Sequence, residues 1–269
     1  MPFIRQTNNL SAREFLRGLQ DTLAKTGLDY EQYIKDFGQV AASEERENGK
    51  AFTLQDHTRG LLLSHLSSQQ VWARIAPKLG RIRQVFLDYD PEALQRADPL
   101  QLESGIRALS CGNRAIRKQM RALSTNIATL RRIEKEEGGL DKFVTRRDPD
   151  ATAKQFSKPS SPYKLGYVGY TLAIEYLRNV GVRAAKPDVH VCRILGGERL
   201  AFLAGVPAEQ DVVRLVATLA AEADCNPTYL DNLLWLFCAL DYGNICGAKP
   251  KCAICGFRDI CRFPAANAC

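Results

Sequence analysis

Residues 164–195 read KLGYVGYTLAIEYLRNVGVRAAKPDVHVCRIL, and this stretch decides the fold of the chain. It opens with a tight turn at 165–169, in which two glycines flank a Tyr-Val pair. The apolar residues that follow have the 3, 4, 7, 8 spacing of a buried helical stripe, and they are Leu172, Ala173, Tyr176, Leu177 and Val180. This spacing predicts an amphipathic helix that ends at Asn179 and Gly181.

A second helix is predicted directly after the short basic loop at 183–186. Pro187 and Asp188 precede the apolar run that begins at Val189, and both residue types are common where helices begin. Asp188 has two interpretations from the local sequence. It is either only the N-cap of this helix or a carboxylate that also takes part in chemistry.

The turn L-x-x-V-G at 165–169 and the sequence P-D-V-H-V at 187–191 resemble motifs of the helix-hairpin-helix DNA glycosylase superfamily. The resemblance implies that Asp188 is the catalytic carboxylate and that the turn binds the DNA backbone through its amides, at Leu165, Gly166, Tyr167, Val168 and Gly169. Glycines let amides approach a phosphate, and a helix start favours an anion. A carboxylate beside an extruded nucleotide stabilises positive charge on the sugar or orients the attacking water.

The turn departs from the superfamily motif L-P-G-V-G at two positions, with Gly166 in place of the proline and Tyr167 in place of the first glycine. Members that also cleave the DNA backbone carry a lysine two residues after the last glycine. This chain has Thr171 there, a further candidate for DNA binding. The resemblance therefore implies a monofunctional glycosylase, in which Asp188 assists attack by water. The alternative is a bifunctional glycosylase and lyase, because Lys164 supplies another amine near the turn.

Residues 60–70 read GLLLSHLSSQQ, which predicts an apolar helix with a polar end. The segment resembles the L-L-S-x-Q stretch of endonuclease III-like members of the superfamily. The resemblance implies that Gln69 enters the duplex where the target base has left, with Gln70 as the alternative. Trp72 and Tyr170 are the aromatic candidates for a base pocket. The competing interpretation is that the glutamines only end a helix and that Trp72 belongs to the core.

Four of the nine cysteines lie within sixteen residues, spaced C-x5-C-x2-C-x5-C at Cys246, Cys252, Cys255 and Cys261. Four thiolates can enclose one zinc ion or one [4Fe–4S] cluster. The superfamily pattern C-x6-C-x2-C-x5-C differs only in its first gap, so the resemblance implies the iron–sulfur cluster, with zinc as the alternative. Lys249 and Lys251 lie inside that gap and are predicted to contact DNA phosphates.

Charge is distributed unevenly along a chain of net charge +7. Residues 105–133 contain no acidic residue but seven basic ones: Arg107, Arg114, Arg117, Lys118, Arg121, Arg131 and Arg132. This run indicates an anionic partner, and the resemblance implies double-stranded DNA with a damaged or mismatched base. No stretch of 18 apolar residues and no signal-peptide core is present. We expect a monomeric intracellular protein, cytoplasmic or in a bacterial nucleoid, with no membrane partner.

The resemblance covers residues 54–261 and implies an all-α, two-lobed fold. Residues 52–182 would form a six-helix barrel domain with the hairpin, and residues 1–51 and 183–269 an iron–sulfur cluster domain. The sequence predicts an exposed polar linker at 42–50, a long loop with short helical pieces at 134–162, and buried aromatic residues at Trp235 and Phe237. The implied function is base-excision repair. The remaining alternative is a non-catalytic DNA-binding protein of the same fold.

Overall fold

Helices are the only regular elements of the computed structural model, which describes residues 10–263, so the all-α prediction is confirmed for that range. None of these helices is long and apolar enough to cross a lipid bilayer. In chain order the α-helices are α1 (Ala12–Lys25), α2 (Tyr30–Phe37), α3 (Gln39–Glu47), α4 (Leu54–Leu66), α5 (Trp72–Ile75), α6 (Leu79–Val85), α7 (Pro91–Arg96), α8 (Pro99–Ala108), α9 (Ile116–Glu136), α10 (Leu140–Thr145), α11 (Pro149–Ser157), α12 (Tyr170–Asn179), α13 (Val189–Leu195), α14 (Glu209–Ala223) and α15 (Pro227–Cys238).

The described chain folds into two compact units. The central unit comprises residues 42–182, and the terminal unit comprises residues 10–41 with 183–263. The central unit therefore begins before residue 52, where the sequence placed the start of the barrel domain. Most of the segment at 42–50 is exposed as predicted, but it is largely helical rather than a linker, and its Arg46 is anchored. The Arg46 guanidinium forms an ion pair with Asp141 and also donates to the carbonyl oxygen of Val180.

The core of the central unit is built around α4. Residues 60–66 of this helix are all buried, so α4 is covered on every side rather than along one stripe. Gly60 lets α12 approach closely, because a Cβ at this position would lie 2.9 Å from Cγ1 of Val180. The contact is fixed by Asn179, whose Nδ2 donates to the Gly60 carbonyl oxygen at 3.0 Å. On another side, α9 packs its buried stripe against the same core, including Met120 and Leu123.

Two further helices lie in the region predicted as a long loop with short helical pieces, and they make it more helical than loop. Residues 134–162 contain the end of α9 and all of α10 and α11. Phe143 of α10 and Phe156 of α11 are completely buried, with their ring centroids 5.9 Å apart. The turn-forming residues of this region lie between short helices whose few apolar side chains are enough to attach them to the core.

The core of the terminal unit joins the first helix to the last two. Phe15 and Leu19 of α1 are completely buried, together with Leu233 and Phe237 of α15. The loop after α15 is attached to the same core by Phe257, whose ring centroid lies 5.5 Å from that of Phe15. Gly18 is required there, because a Cβ would lie 2.6 Å from Cε1 of Phe257.

His65 of α4 makes the stability of the protein depend on pH. The side chain is completely buried, and neither ring nitrogen has a hydrogen-bond partner in the described part of the chain. Burial lowers the pKa of His65 from 6.5 to about 4. The unfolded chain therefore takes up this proton first, and stability is lost as the pH falls from about 6.5 towards 4.

The unfolding free energy of the wild type should decrease between pH 7 and pH 5. In the His65→Leu variant we expect this decrease to be smaller by about 2 kcal/mol. Urea denaturation at the two pH values measures this decrease. His57 is also buried, with its pKa lowered by burial, and retains its own contribution in the variant. An identical pH dependence in wild type and variant would contradict the assignment to His65.

Candidate functional site

The turn at 165–169 leads directly into α12. Leu165 and Val168 are buried, whereas Tyr167 is 51% exposed. Tyr167 has φ 58°, in the left-handed region that favours glycine. Tyr167 itself therefore adopts the backbone shape of the glycine that the resemblance leads us to expect, and Gly166 does not take that role one residue earlier.

Gly166 is needed in this turn because it packs against α9. A Cβ at Gly166 would lie 2.9 Å from the Cβ of Ala122. One turn further along α9, Asn126 binds the same glycine twice. Its Oδ1 accepts from the Gly166 amide at 2.6 Å, and its Nδ2 donates to the Gly166 carbonyl oxygen at 3.1 Å. Asn126 is buried, so these bonds hold the turn backbone at a set position on the helix.

Lys164 fixes the other side of the turn. Its Nζ donates to the carbonyl oxygens of Leu165 and Val168, at 2.6 and 2.5 Å. Burial lowers the pKa of Lys164 below its ordinary value. The amine that the sequence left as a possible nucleophile is thus engaged with the carbonyls of the turn.

The outer side of the turn presents amide groups. The N–H groups of Tyr167 and Gly169 have no hydrogen-bond partner within the described residues. Gly169 is the N-cap of α12, and no side chain caps this helix. Thr171 lies in its first turn and is half-buried. Unpaired amides at the start of a ten-residue helix form a site suited to an anion such as a phosphate.

The two glutamines after α4 differ in their surroundings. Gln69 is exposed, with φ 55°, and its side chain makes no hydrogen bond to residues 10–263. Gln70 is half-buried, and its Nε2 donates to the carbonyl oxygen of Gly112 at 3.0 Å. A non-glycine residue in the left-handed region is uncommon outside turns and functional sites. Of the two glutamines, Gln69 therefore has the side chain that is free to contact a ligand.

The two aromatic candidates for a base pocket have partners inside the central unit. Trp72 is half-buried and packs against the core beside α4. The Tyr170 hydroxyl donates to Oδ1 of Asp150 at 2.7 Å. Each of these side chains therefore has a packing or hydrogen-bonding role that needs no ligand.

Asp188 caps α13 with only one of its carboxylate oxygens. Oδ1 accepts from the amides of His190 and Val191, at 2.8 and 3.2 Å. Oδ2 has no hydrogen-bond partner among the residues that the structure describes. The side chain is half-buried rather than enclosed in the core. The N-cap interpretation of Asp188 is thus confirmed, and the geometry leaves the second oxygen available for chemistry.

The loop before Asp188 is held by α15. Asp231 is buried, and its Oδ1 accepts from the Lys186 amide at 3.0 Å. Two residues earlier, the Ala184 amide donates to Oγ1 of Thr228 at 3.3 Å. These bonds fix the backbone that leads to Asp188, so the carboxylate sits on a rigid element rather than on a free loop.

A cluster of aromatic side chains, which we call the Trp235 cluster, lies next to the start of α13. The Trp235 ring contacts the His190 ring edge-to-face at 6.2 Å between centroids, and it contacts Phe37 at 5.6 Å and Tyr242 at 5.0 Å. The sequence placed Trp235 in the core, but the side chain is only half-buried. Residue type alone could not reveal this, because the cluster combines residues from α2, α13 and α15 with the loop that follows.

The four cysteines of the spaced group lie in the loop after α15. Cys246 and Cys252 are buried, and Cys255 and Cys261 are half-buried. The pKa of Cys255 is raised to about 11, mainly by burial and with a contribution from the charges of the other three thiolates, so all four cysteines share one neighbourhood. No three His, Cys, Asp or Glu side chains between residues 10 and 263 are placed so as to hold a single metal ion.

Lys249 and Lys251 are both exposed on the cysteine loop. Lys251 donates from Nζ to the carbonyl oxygen of Gly243 at 3.2 Å. Lys249 has no such bond in the described part of the chain, so its ammonium group is available to a partner.

Comparison with known proteins finds solved structures with a similar fold. No protein-family model matches the chain, and no curated protein matches it in sequence. Among solved structures, the chain resembles the 8-oxoguanine DNA glycosylase of Thermotoga maritima, with 19% identity, a TM-score of 0.54, and coverage of 84% of this chain and 96% of that one. It also resembles the 8-oxoguanine DNA glycosylase of Methanocaldococcus jannaschii, with 17% identity, a TM-score of 0.53, and coverage of 83% and 94%.

A second structure of the Methanocaldococcus jannaschii enzyme is a complex with a 15mer DNA containing 8-oxoguanine. It matches with 17% identity, a TM-score of 0.52, and coverage of 82% of this chain and 96% of that one. These likenesses show that the chain has the helical fold of this class of DNA glycosylase.

We expect the Lys164→Met variant to lose about 1–2 kcal/mol of unfolding free energy, because two carbonyl groups of the turn lose their donor. Urea denaturation measures the loss. The matched control is Lys158→Met, since Lys158 is an exposed lysine whose side chain makes no hydrogen bond or ion pair within the described chain. Equal stability of the two variants would show that the Lys164 ammonium does not support the turn.

Proposed function

We propose that the protein is a base-excision-repair DNA glycosylase that extrudes a damaged or mismatched base from duplex DNA and hydrolyses its N-glycosidic bond. The observation that carries this proposal is the geometry of Asp188. Its Oδ1 is held by two amides at the start of α13, while Oδ2 is free. The carboxylate is thereby oriented in advance, which an electrostatic catalyst requires. The fold shared with DNA glycosylases supports the same function.

In this proposal the turn at 165–169 binds a phosphate of the DNA backbone. The unpaired amides of Tyr167 and Gly169 and the uncapped start of α12 supply donors for it. Contacts of this kind position the duplex without reading its sequence. Gln69, exposed at the end of α4, would fill the space that the extruded nucleotide leaves.

Asp188 would act on the sugar of the extruded nucleotide. As the bond to the base breaks, positive charge develops on the sugar, and a nearby carboxylate stabilises it or orients the attacking water. Thr171 occupies the position of the lysine in superfamily members that also cleave the backbone. Lys164 is bound to the carbonyls of the turn. Both features favour water as the nucleophile and a monofunctional enzyme.

The Trp235 cluster supplies flat aromatic surfaces in the same unit as Asp188. His190 follows Asp188 by two residues, and its ring meets the Trp235 ring edge-to-face. Aromatic faces stack against extruded bases, and a half-buried indole combines a large apolar area with partial exposure. We propose Trp235 and Tyr242 as base-contacting residues in place of Trp72 and Tyr170, whose side chains are committed to other contacts.

The first substrate to test is 8-oxoguanine in duplex DNA, because the similar solved structures are of 8-oxoguanine DNA glycosylases. Uracil and thymine mismatches and alkylated purines complete a panel of lesions. Base release is measured by alkaline cleavage of the abasic product on a gel.

We expect Asp188→Asn to lower the rate of base release at least about 100-fold while DNA binding and stability are kept. Asparagine retains an oxygen that can accept both cap hydrogen bonds, so only the charge is removed. The matched control is Asp148→Asn, because Asp148 is the N-cap of α11 and accepts from Ala151. Single-turnover rates on the active lesion measure the effect, and undiminished base release by Asp188→Asn would refute the catalytic assignment.

The same assay distinguishes two alternative functions from the proposed one. A covalent protein–DNA adduct trapped by borohydride would show an amine nucleophile and a bifunctional glycosylase and lyase. DNA binding without base release on any duplex of the panel would show a non-catalytic DNA-binding protein.

We further propose that Cys246, Cys252, Cys255 and Cys261 hold a [4Fe–4S] cluster. Their spacing and shared neighbourhood support this set. Each thiolate of such a cluster binds a different iron atom, so the ligands need not converge on one point as they do around zinc. The cluster would crosslink the loop that carries Lys249 and Lys251 to the rest of the terminal unit.

We expect the protein purified without oxygen to be brown and to contain about four iron atoms per chain. Cys252→Ser should lose both colour and iron, because one ligand is removed. Cys225→Ser is the matched control, since Cys225 lies outside the spaced group. Stoichiometric zinc without iron would establish the zinc alternative, and the absence of both metals would contradict the proposal.

A further inference from the structure

We infer that one edge of α9, with Arg114 of the turn before it, is a binding track for the phosphates of duplex DNA and that it continues the contact made by the turn at 165–169. The track consists of Arg114, Lys118 and Arg121. This inference rests on the proposed function, because it assumes that DNA is the partner. It adds a surface that the superfamily motifs in the sequence do not indicate.

The charges of the track are not neutralised, unlike others in the same basic run. Arg117 and Arg107 both pair with Glu103, at 3.0 and 2.8 Å, and Arg131 pairs with Glu92. All three track residues are exposed, and none of them has an ion pair or hydrogen bond with the rest of the described chain. The list of basic residues in the sequence could not separate these two groups.

Helical spacing places the track beside the turn. Residues three or four apart lie on the same side of a helix, so Lys118 and Arg121 share one edge of α9, and Arg114 lies in the turn two residues before this helix begins. Ala122 follows Arg121 directly and packs under Gly166. From Lys118 to Asn126 the helix axis spans about 12 Å, at 1.5 Å per residue. That length corresponds to about three or four base-pair steps of 3.4 Å.

The opposite end of the track is connected to the segment that carries Gln69. The turn before α9 accepts a hydrogen bond from Gln70 through the Gly112 carbonyl. The buried Asn113 donates from Nδ2 to the carbonyl oxygen of His65, at 2.7 Å, near the end of α4. Arg114 follows directly. The track therefore runs from the region of Gln69 to the turn at 165–169 along the turn before α9 and α9 itself, and all of it lies within the central unit.

The arrangement is unfavourable without an anionic partner. Lys118 lies three residues before Arg121 on α9, and like charges at such spacing repel each other along a helix. No acidic residue occurs between positions 105 and 133 to relieve this. Phosphates spaced along a DNA strand would neutralise the track, with release of bound counterions.

The test compares two triple variants that remove the same number of positive charges. The track variant is Arg114→Gln, Lys118→Gln and Arg121→Gln. The control is Arg83→Gln, Arg107→Gln and Arg131→Gln, whose three arginines are each paired with a carboxylate. All six residues are at least partly exposed, and exposed pairs contribute little to stability, so both variants should fold. The affinity for an undamaged duplex is measured by fluorescence anisotropy over a series of KCl concentrations.

We expect the slope of log Kd against log salt concentration to fall by about 2–3 in the track variant, close to 0.9 for each lost phosphate contact. The slope of the control should remain that of the wild type. Equal slopes in the two triple variants would overturn the inference.

The test also separates this inference from the proposed function. If the wild type does not bind duplex DNA, the proposed function fails, and the track fails with it. If the wild type binds DNA and releases bases while the two triple variants behave alike, only the track is wrong. The wild type could also bind DNA without base release while the slope of log Kd against log salt concentration falls only in the track variant. The track is then correct and the catalytic function is wrong.

Discussion

The proposed DNA contact depends on how the backbone of one turn is held. Asn126 binds the amide and the carbonyl of Gly166, and Lys164 binds the carbonyls on either side of the exposed Tyr167. With these groups satisfied from inside the protein, the amides that remain face outward. If the inner polar groups of the turn lacked partners, their burial would destabilise the turn, and it would not keep one conformation. Gly166 is part of the same constraint, because a side chain at that position would push the turn off α9.

Asp188 shows that a structural role and a chemical role can be combined in one carboxylate. Capping uses Oδ1, which accepts from the amides of His190 and Val191 at the start of α13. The same bonds fix the direction of the carboxylate without a rearrangement when substrate binds. The competing interpretations of this residue, cap or catalyst, are therefore compatible, since a carboxylate has two oxygens and the cap occupies one.

Features with a local cause were predicted well. The bounds of α12 follow from the apolar stripe that ends at Val180 and from Gly181, which has φ 76° and contacts the backbone of Ala42. The start of α13 follows from the capping preference of Asp188. The linker at 42–50 and the loop at 134–162 are both more helical than predicted, for one reason. Their charged and turn-forming residues dominate the composition, while single anchors such as Arg46 and Phe143 decide the structure.

The candidate functional residues show the same difference between local and long-range causes. The sequence by itself determined that the chain is helical, that a turn and a helix precede Asp188, and that four cysteines are spaced as a ligand set. Only the tertiary structure decided which glutamine is free, which arginines of the basic run lack a carboxylate, and that Trp235 is half-exposed in an aromatic cluster. The physical reason is range: caps, helical stripes and glycine conformations act over a few residues. An ion pair or a shared surface depends on residues far apart in the chain, which only the packing of helices brings together.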